Sequence, residues 1–265
     1  MQLTVSLAQI DIALGDPDSN CAKVIDWIQE AARRGSDLII LPELWSTGYD
    51  LGRAEILASA MNDGVVQQIS EVAAAQKIWV LGSTLVSTDN KNAPLNRAIL
   101  FDQVGETIAT YDKIHLFGLM DEDQYLSPGQ SLSLTETPWG KAGLAICYDL
   151  RFPEIFRSYA LAGASMIMLP TEWPYPRQAH WQTLLRSRAI ENQLYVMACN
   201  RVGKDRNNTF CGRSAIIDPW GEVVVEAGDT ETLLTTTIDL DAVQDIRQKI
   251  PIFDDRRPDL YQIES

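Results

Sequence analysis

Short apolar runs rich in β-branched residues alternate along this chain with longer segments whose apolar residues recur at helical spacing. No other feature restricts the possible folds as strongly. Strands interleaved with helices bury their faces best as stacked layers, which makes this an α/β chain. The β-rich runs cover 3–9, 38–41, 79–83, 97–101, 107–111, 143–148, 165–169, 195–200, 213–217, 222–226 and 234–238. Helical patterns cover 20–34, with Asp18 or Ser19 as N-cap, a segment capped by Asp63, then 153–162, 178–191 and 241–249. Pro219-Trp220-Gly221 sits between two β-rich runs as a hairpin signal, so the sheet is not purely parallel. A mixed-sheet sandwich with helices outside is expected.

No linker, charge block or low-complexity segment interrupts the 265 residues, so one domain is expected over 1–265. Its last stretch, 250–265, has two prolines and no period and reads as an extended tail. Ile250, Ile252, Phe253, Leu260 and Tyr261 there need cover, which points to a partner subunit.

Charge excludes several functions. Lys and Arg number 22 against 36 Asp and Glu, a net charge of −14. That balance disfavours phosphate backbones and anionic membrane surfaces, so neither a nucleic acid nor a membrane is expected as partner. The longest apolar runs fall far short of the ~20 residues of a membrane span. The first residues lack the basic-then-apolar pattern of a secretory signal, so a cytoplasmic location is expected. The four cysteines (Cys21, Cys147, Cys199, Cys211) include no C-x-x-C pair, and His115 and His180 share no metal-ligand spacing. Phosphate-binding glycine loops and G-x-S-x-G are absent too. Neither a metal nor a cofactor is expected.

Three β-rich runs end directly in a reactive side chain. Leu38-Ile39-Ile40-Leu41 leads into Pro42-Glu43, 107–111 into Asp112-Lys113, and Gly143-Leu144-Ala145-Ile146 into Cys147. Strand ends are where layered α/β proteins gather functional groups over a rigid sheet. A cysteine in an apolar strand is ordinarily a small buried hydrophobe, which is the reading for Cys21, Cys199 and Cys211. Cys147 differs because a charged segment and Pro153, a helix-opening proline, follow it. The positive end of that helix favours thiolate.

These segments resemble the signatures of the nitrilase (carbon–nitrogen hydrolase) superfamily. The resemblance rests on Leu41-Pro42-Glu43-Leu44-Trp45, Tyr111-Asp112-Lys113-Ile114-His115 and Cys147-Tyr148-Asp149-Leu150-Arg151-Phe152-Pro153-Glu154. Arg186-Ser187-Arg188-Ala189-Ile190-Glu191-Asn192-Gln193 and Asp218-Pro219-Trp220-Gly221-Glu222 extend it in order along nearly the whole chain. The resemblance implies a four-layer αββα sandwich and a catalytic triad of Glu43, Lys113 and Cys147. It also implies a second glutamate seven residues before a glycine; Glu122 precedes Gly129 by seven, with Asp121 and Asp123 ranked below it.

Hydrolysis of an amide by this set needs a nucleophile and a proton for the leaving nitrogen. Glu43 would serve as base and then acid for Cys147, and Lys113 with the Tyr148 backbone N–H would hold the oxyanion. Glu122 would orient Lys113. His115 reads as a structural neighbour. Within the superfamily the segments 116–122, 172–181 and 250–261 resemble the ω-amidase branch. This implies a small 2-oxo acid amide such as 2-oxoglutaramate, and family members commonly dimerise. A carboxylated substrate needs local positive charge in an acidic protein, for which Arg177 is the candidate, with Trp173 and Tyr49 as pocket walls. Arg151 and Glu154 are expected to pair with other charges and fix the loop. The alternatives are an amidase for N-carbamoyl amines or deaminated glutathione and, in other classes, a non-catalytic binding module or a thiol redox enzyme without a nearby resolving cysteine.

Overall fold

A computed structural model describes residues 1–88 and 93–261. The first half of the chain runs β1 (Gln2–Gln9), α1 (Pro17–Arg33), β2 (Leu38–Ile40), α2 (Ala54–Leu57), α3 (Gly64–Gln76), β3 (Trp79–Val86), β4 (Leu95–Phe101), β5 (Thr107–Asp112), α4 (Glu122–Tyr125) and β6 (Ser133–Thr137). The second half runs β7 (Gly140–Leu144), α5 (Pro153–Leu161), β8 (Met166–Thr171), α6 (Gln178–Asn192), β9 (Tyr195–Asn200), β10 (Ala215–Ile217), β11 (Val223–Glu226), β12 (Thr232–Asp239) and α7 (Asp241–Lys249).

The strands form two six-stranded sheets, ordered β12-β1-β2-β3-β4-β5 and β11-β10-β9-β8-β7-β6. In the first, β1, β2 and β3 are parallel and the remaining pairings antiparallel. In the second, β7, β8 and β9 repeat that parallel core between antiparallel neighbours. The halves are therefore topological copies, and each gives its last strand to the other's sheet: β6 pairs with β7, and β12 pairs with β1.

The period-two pattern of β2 shows how the layers form. Leu38 and Ile40 join the apolar cluster that also holds Leu144, Met168 and Val196 of the second sheet. Ile39, between them, joins Val24 and Ile28 of α1 and Val66 and Ile69 of α3. Adjacent residues thus face sheet and helix in turn, and the layers run helix, sheet, sheet, helix. This is the expected αββα sandwich with mixed sheets.

Local details correct several expected boundaries. Helix α1 starts earlier than expected: Asp16, not Asp18 or Ser19, is the cap, accepting from Ser19 N, with Pro17 opening the helix. The expected strand through 148 stops at Leu144, because 147–151 forms a 3₁₀ turn. Edge strand β6, with one apolar residue in five, had no sequence signal. In the tail, Phe253 packs against the main core and beneath Arg157 and Arg247. Leu260 and Tyr261 stay 66% and 56% exposed. Residues 262–265 of the expected tail lie outside the described residues.

Candidate active site

Glu43 stands three residues past β2, Lys113 directly past β5 and Cys147 three residues past β7, so two sheets deliver the three groups to one place. Each is set by a close backbone fit. Lys113 N–H donates to Asn96 O (3.0 Å), and Gly129 N–H donates to Lys113 O (2.9 Å). A Cβ on Gly129 would come within 2.0 Å of Asp112 O, so only glycine lets that segment pass beneath the lysine. Cys147 has φ of 45°, a left-handed conformation unusual for a residue with a side chain. Asp149 helps hold this turn by accepting from Ile146 N–H (2.9 Å).

The side chains converge in a cluster buried from solvent. Lys113 Nζ donates to Glu43 Oε1 (2.7 Å) and lies 2.8 Å from both oxygens of Glu122, with all three side chains fully buried. Asn96 Nδ2 donates to Glu43 Oε1 (2.8 Å), and the Glu172 backbone N–H donates to Glu43 Oε2 (2.9 Å). Glu122 also accepts from Tyr49 OH (3.0 Å) and Phe117 N–H (2.6 Å). Burial works to discharge Lys113, but Glu122 and Glu43 outweigh it and hold the ammonium well above its usual value. Burial raises Glu122, against the pull of Lys113. The Cys147 thiol is pushed well up by burial first and then by Glu43, which hydrogen-bonds it. Desolvation and the neighbouring carboxylate thus oppose the thiolate that the helix end favours, and they outweigh the opposing pull of Lys113.

A narrow cavity opens onto Cys147. Trp173 and Arg177 line it as expected, together with Phe117, Tyr148, Arg151 and Glu172. Two expectations change. Arg151 does not fix the loop through a charge pair: its guanidinium lies over the Trp173 ring at 4.8 Å and faces the same cavity as the thiol. Tyr49 does not wall this cavity. It lies against Lys113 and Glu122 and lines a separate cavity of about 300 Å³ beside Asp50, Asp121 and Asp205. His115, by contrast, is a neighbour: its Nδ1 lies 2.8 Å from Asp149 Oδ1 and its ring stacks on Phe152.

Glu172 and Arg201 were missed by sequence reasoning. Glu172 is fully buried and paired with Arg201 Nη1 (3.0 Å), and Arg201 Nη2 reaches Asp11 (3.0 Å). Burial pushes Glu172 from 4.5 up to about 8, against the opposing pull of Arg201. The signal available was the echo between Leu41-Pro42-Glu43 and Leu169-Pro170-Thr171-Glu172 at equivalent strands of the two halves.

The arrangement can move a proton between a thiol and a carboxylate beside a fixed positive charge, with two arginines at the cavity for an anion. Among the described residues, no cluster of His, Cys, Asp and Glu is suited to a metal, and no helix is long and apolar enough to cross a membrane.

The carbon–nitrogen hydrolase family model matches residues 4–248. The 2-oxoglutaramate amidase of Bacillus subtilis is 40% identical, with 98% of this chain and all of that protein aligned. The mouse omega-amidase NIT2 is 34% identical over 99% of this chain and 98% of its own. The crystal structure of XC1258 from Xanthomonas campestris, a CN-hydrolase superfamily protein, superposes with a TM-score of 0.92 at 31% identity over the whole of both chains. On these grounds the chain belongs to the carbon–nitrogen hydrolase family, alongside its ω-amidases, and is an amidohydrolase.

Proposed function

We propose that this amidohydrolase cleaves the terminal amide of a small 2-oxo acid, such as 2-oxoglutaramate, into the dicarboxylate and ammonia through a thioester on Cys147. The observation that carries this reading is the buried Lys113 ammonium held between Glu43 and Glu122 beside a thiol. Glu43 takes the thiol proton as sulfur attacks the amide carbon. Lys113 and the Tyr148 backbone N–H stabilise the oxyanion; removing such a donor typically costs ~10²–10³ in rate. Glu43 then gives the proton to the departing nitrogen, and ammonia leaves. Water, deprotonated by Glu43, attacks the thioester; the acid departs and the proton returns to sulfur. Burial and Glu43 favour the protonated thiol, which gives Glu43 its role as the base that activates it. Glu122 keeps Lys113 charged and oriented.

Two features favour an anionic substrate. Arg151 and Arg177 both line the cavity, and neither has a carboxylate partner among the described residues. Trp173 packs between Arg151 and the core, and the Arg177 guanidinium lies over Phe117 at 5.4 Å. The relatives named as 2-oxoglutaramate amidase and omega-amidase point to the same substrate class.

The test is kcat/KM for ammonia release from 2-oxoglutaramate, glutamine, N-carbamoylputrescine and a neutral short amide. The reading expects 2-oxoglutaramate to lead and Cys147→Ala to abolish turnover in a folded protein. Preference for N-carbamoylputrescine would replace it with the carbamoyl-amine alternative. Arg177→Ala should raise KM for the carboxylated amide at least about tenfold more than for the neutral one, the scale of a charge-assisted hydrogen bond.

The same reading includes a homodimer in the cytoplasm. Ile190, Trp220 and Ile250, each 42–52% exposed, support the dimer. Gly221 abuts Ile190, Lys249 sits over Trp220 at 5.2 Å, and Gln193 binds Ile250 O, so the three share one surface. Four free buried cysteines fit a reducing compartment.

A further inference from the structure

Glu172 has no part in the proton transfers above, yet its position is unusual. Its backbone N–H binds Glu43, the group that hands a proton to the leaving nitrogen. Glu172 is among the residues that line the Cys147 cavity. Arg201 occupies only one of its oxygens, Oε2, at 3.0 Å. The other, Oε1, is buried without a hydrogen-bond partner among the described residues. A buried carboxyl oxygen left empty beside a substrate cavity is costly unless something fills it during the working cycle.

The chemistry of a primary amide supplies what is missing. Its nitrogen carries two N–H donors, while the groups around the attacked carbon, Lys113 and the Tyr148 N–H, are themselves donors and suit only the carbonyl oxygen. Glu43 can accept one N–H. The second needs another acceptor on the same side. We infer that Glu172 Oε1 accepts a hydrogen bond from the nitrogen of the scissile amide, making Glu172 the residue that selects amides over esters of the same acid. The inference rests on the amidase reading above and adds a specificity determinant to it.

The geometry fits this role in three respects. Full burial leaves no bulk water to compete for Oε1. Arg201, itself fully buried and tied to Asp11 and to Ile12 O, fixes the carboxyl from behind. Either protonation state of Glu172 retains an accepting lone pair on Oε1. A site built around a substrate N–H penalises an analogue that lacks it, because the site's own polar group is then left unpaired.

The experiment compares kcat/KM for 2-oxoglutaramate and for the methyl ester at the same carboxyl, in the wild type and in Glu172→Gln. Both substrates pass through the same thioester, so a purely structural defect lowers both and leaves their ratio alone. In the variant, Arg201 claims the single amide oxygen and an NH₂ group faces the substrate nitrogen, donor against donor. The expected result is a 10–100-fold fall in the amide-to-ester ratio, the range of one hydrogen bond to a charged group. Glu172→Asp keeps an anion for Arg201 but draws the second oxygen back, and serves if the glutamine variant does not fold; the ratio should fall there too. A ratio within about twofold of wild type in a folded variant, whatever the absolute rates, overturns the role of Glu172. Failure of the wild type to release ammonia from 2-oxoglutaramate overturns the substrate reading, and this inference with it.

Discussion

Lys113 carries a full charge where water does not reach, and the carboxylates on either side make that possible. Removing the ammonium leaves Glu43 and Glu122 facing each other in a dry interior. Lys113→Met is therefore expected to lose about 3–5 kcal/mol of stability, the cost of breaking a buried ion pair, besides most of its activity. Urea unfolding checks it; a loss below about 1 kcal/mol would show that water enters the cluster. Glu172 gives a second prediction. Its folded-state value lies above its ordinary one, near 8 against 4.5, so between those values the folded protein binds more protons than the unfolded chain. Stability from this group is fully present below that window and declines as pH rises through it. Glu172→Gln should flatten the fall in Tm between pH 5 and 8; parallel curves for the two proteins would contradict this. The meeting of Glu43, Lys113 and Cys147 could be anticipated from sequence because each follows a β-rich run within three residues. Arg151 was misread because charges near in sequence suggest a pair, whereas the 3₁₀ turn carries its guanidinium to Trp173. Glu172 stayed hidden because its partner lies 29 residues away on the neighbouring strand's end.

One carboxylate ties two of the elements that build the cluster. Asp149 lies two residues past Cys147, and His115 two residues past Lys113. Asp149 accepts from Ile146 N–H, from His115 N–H (3.2 Å) and from Tyr111 OH (2.8 Å). It thus couples the turn after β7 to the segment after β5. Asp149→Asn turns one acceptor into a donor opposite an N–H or hydroxyl. The expected cost is about 1–3 kcal/mol, the penalty for a buried unsatisfied group, with kcat falling more than KM rises. Steady-state kinetics with thermal unfolding decides; an unaltered kcat would free the turn from this coupling. Gly129→Ala should act on the same element from below, since its methyl meets the Asp112 carbonyl. Helix and strand positions were legible wherever apolar residues kept a period. The α1 cap was misplaced because Pro17 marks the first turn and moves the cap to Asp16. Strand β6 is half-buried at a sheet edge, where packing imposes almost no pattern.

At the scale of the whole molecule, the duplicated topology explains why two glutamates meet. Glu43 and Glu172 follow the equivalent strands β2 and β8, and the facing sheets bring the two residues into direct hydrogen-bonding contact. The halves are also locked by their exchanged strands β6 and β12 and by Arg201, which reaches from the end of β9 to Asp11 just past β1. The αββα layering was readable from alternation together with family resemblance, but the strand exchange was not, because pairing partners lie more than 200 residues apart for β1 and β12. If the surface of Ile190, Trp220 and Ile250 joins two copies, Ile190→Glu should shift the protein from dimer to monomer in light scattering; an unchanged mass would place the interface elsewhere. The proposed chemistry turns on a covalent step at Cys147. Rapid quenching of the enzyme during turnover of 2-oxoglutaramate, followed by intact-mass and peptide analysis, tests it most directly. The expected result is a single acyl adduct on Cys147, formed as one ammonia per site is released. Ammonia release with no adduct, at a rate that survives in Cys147→Ala, would contradict it.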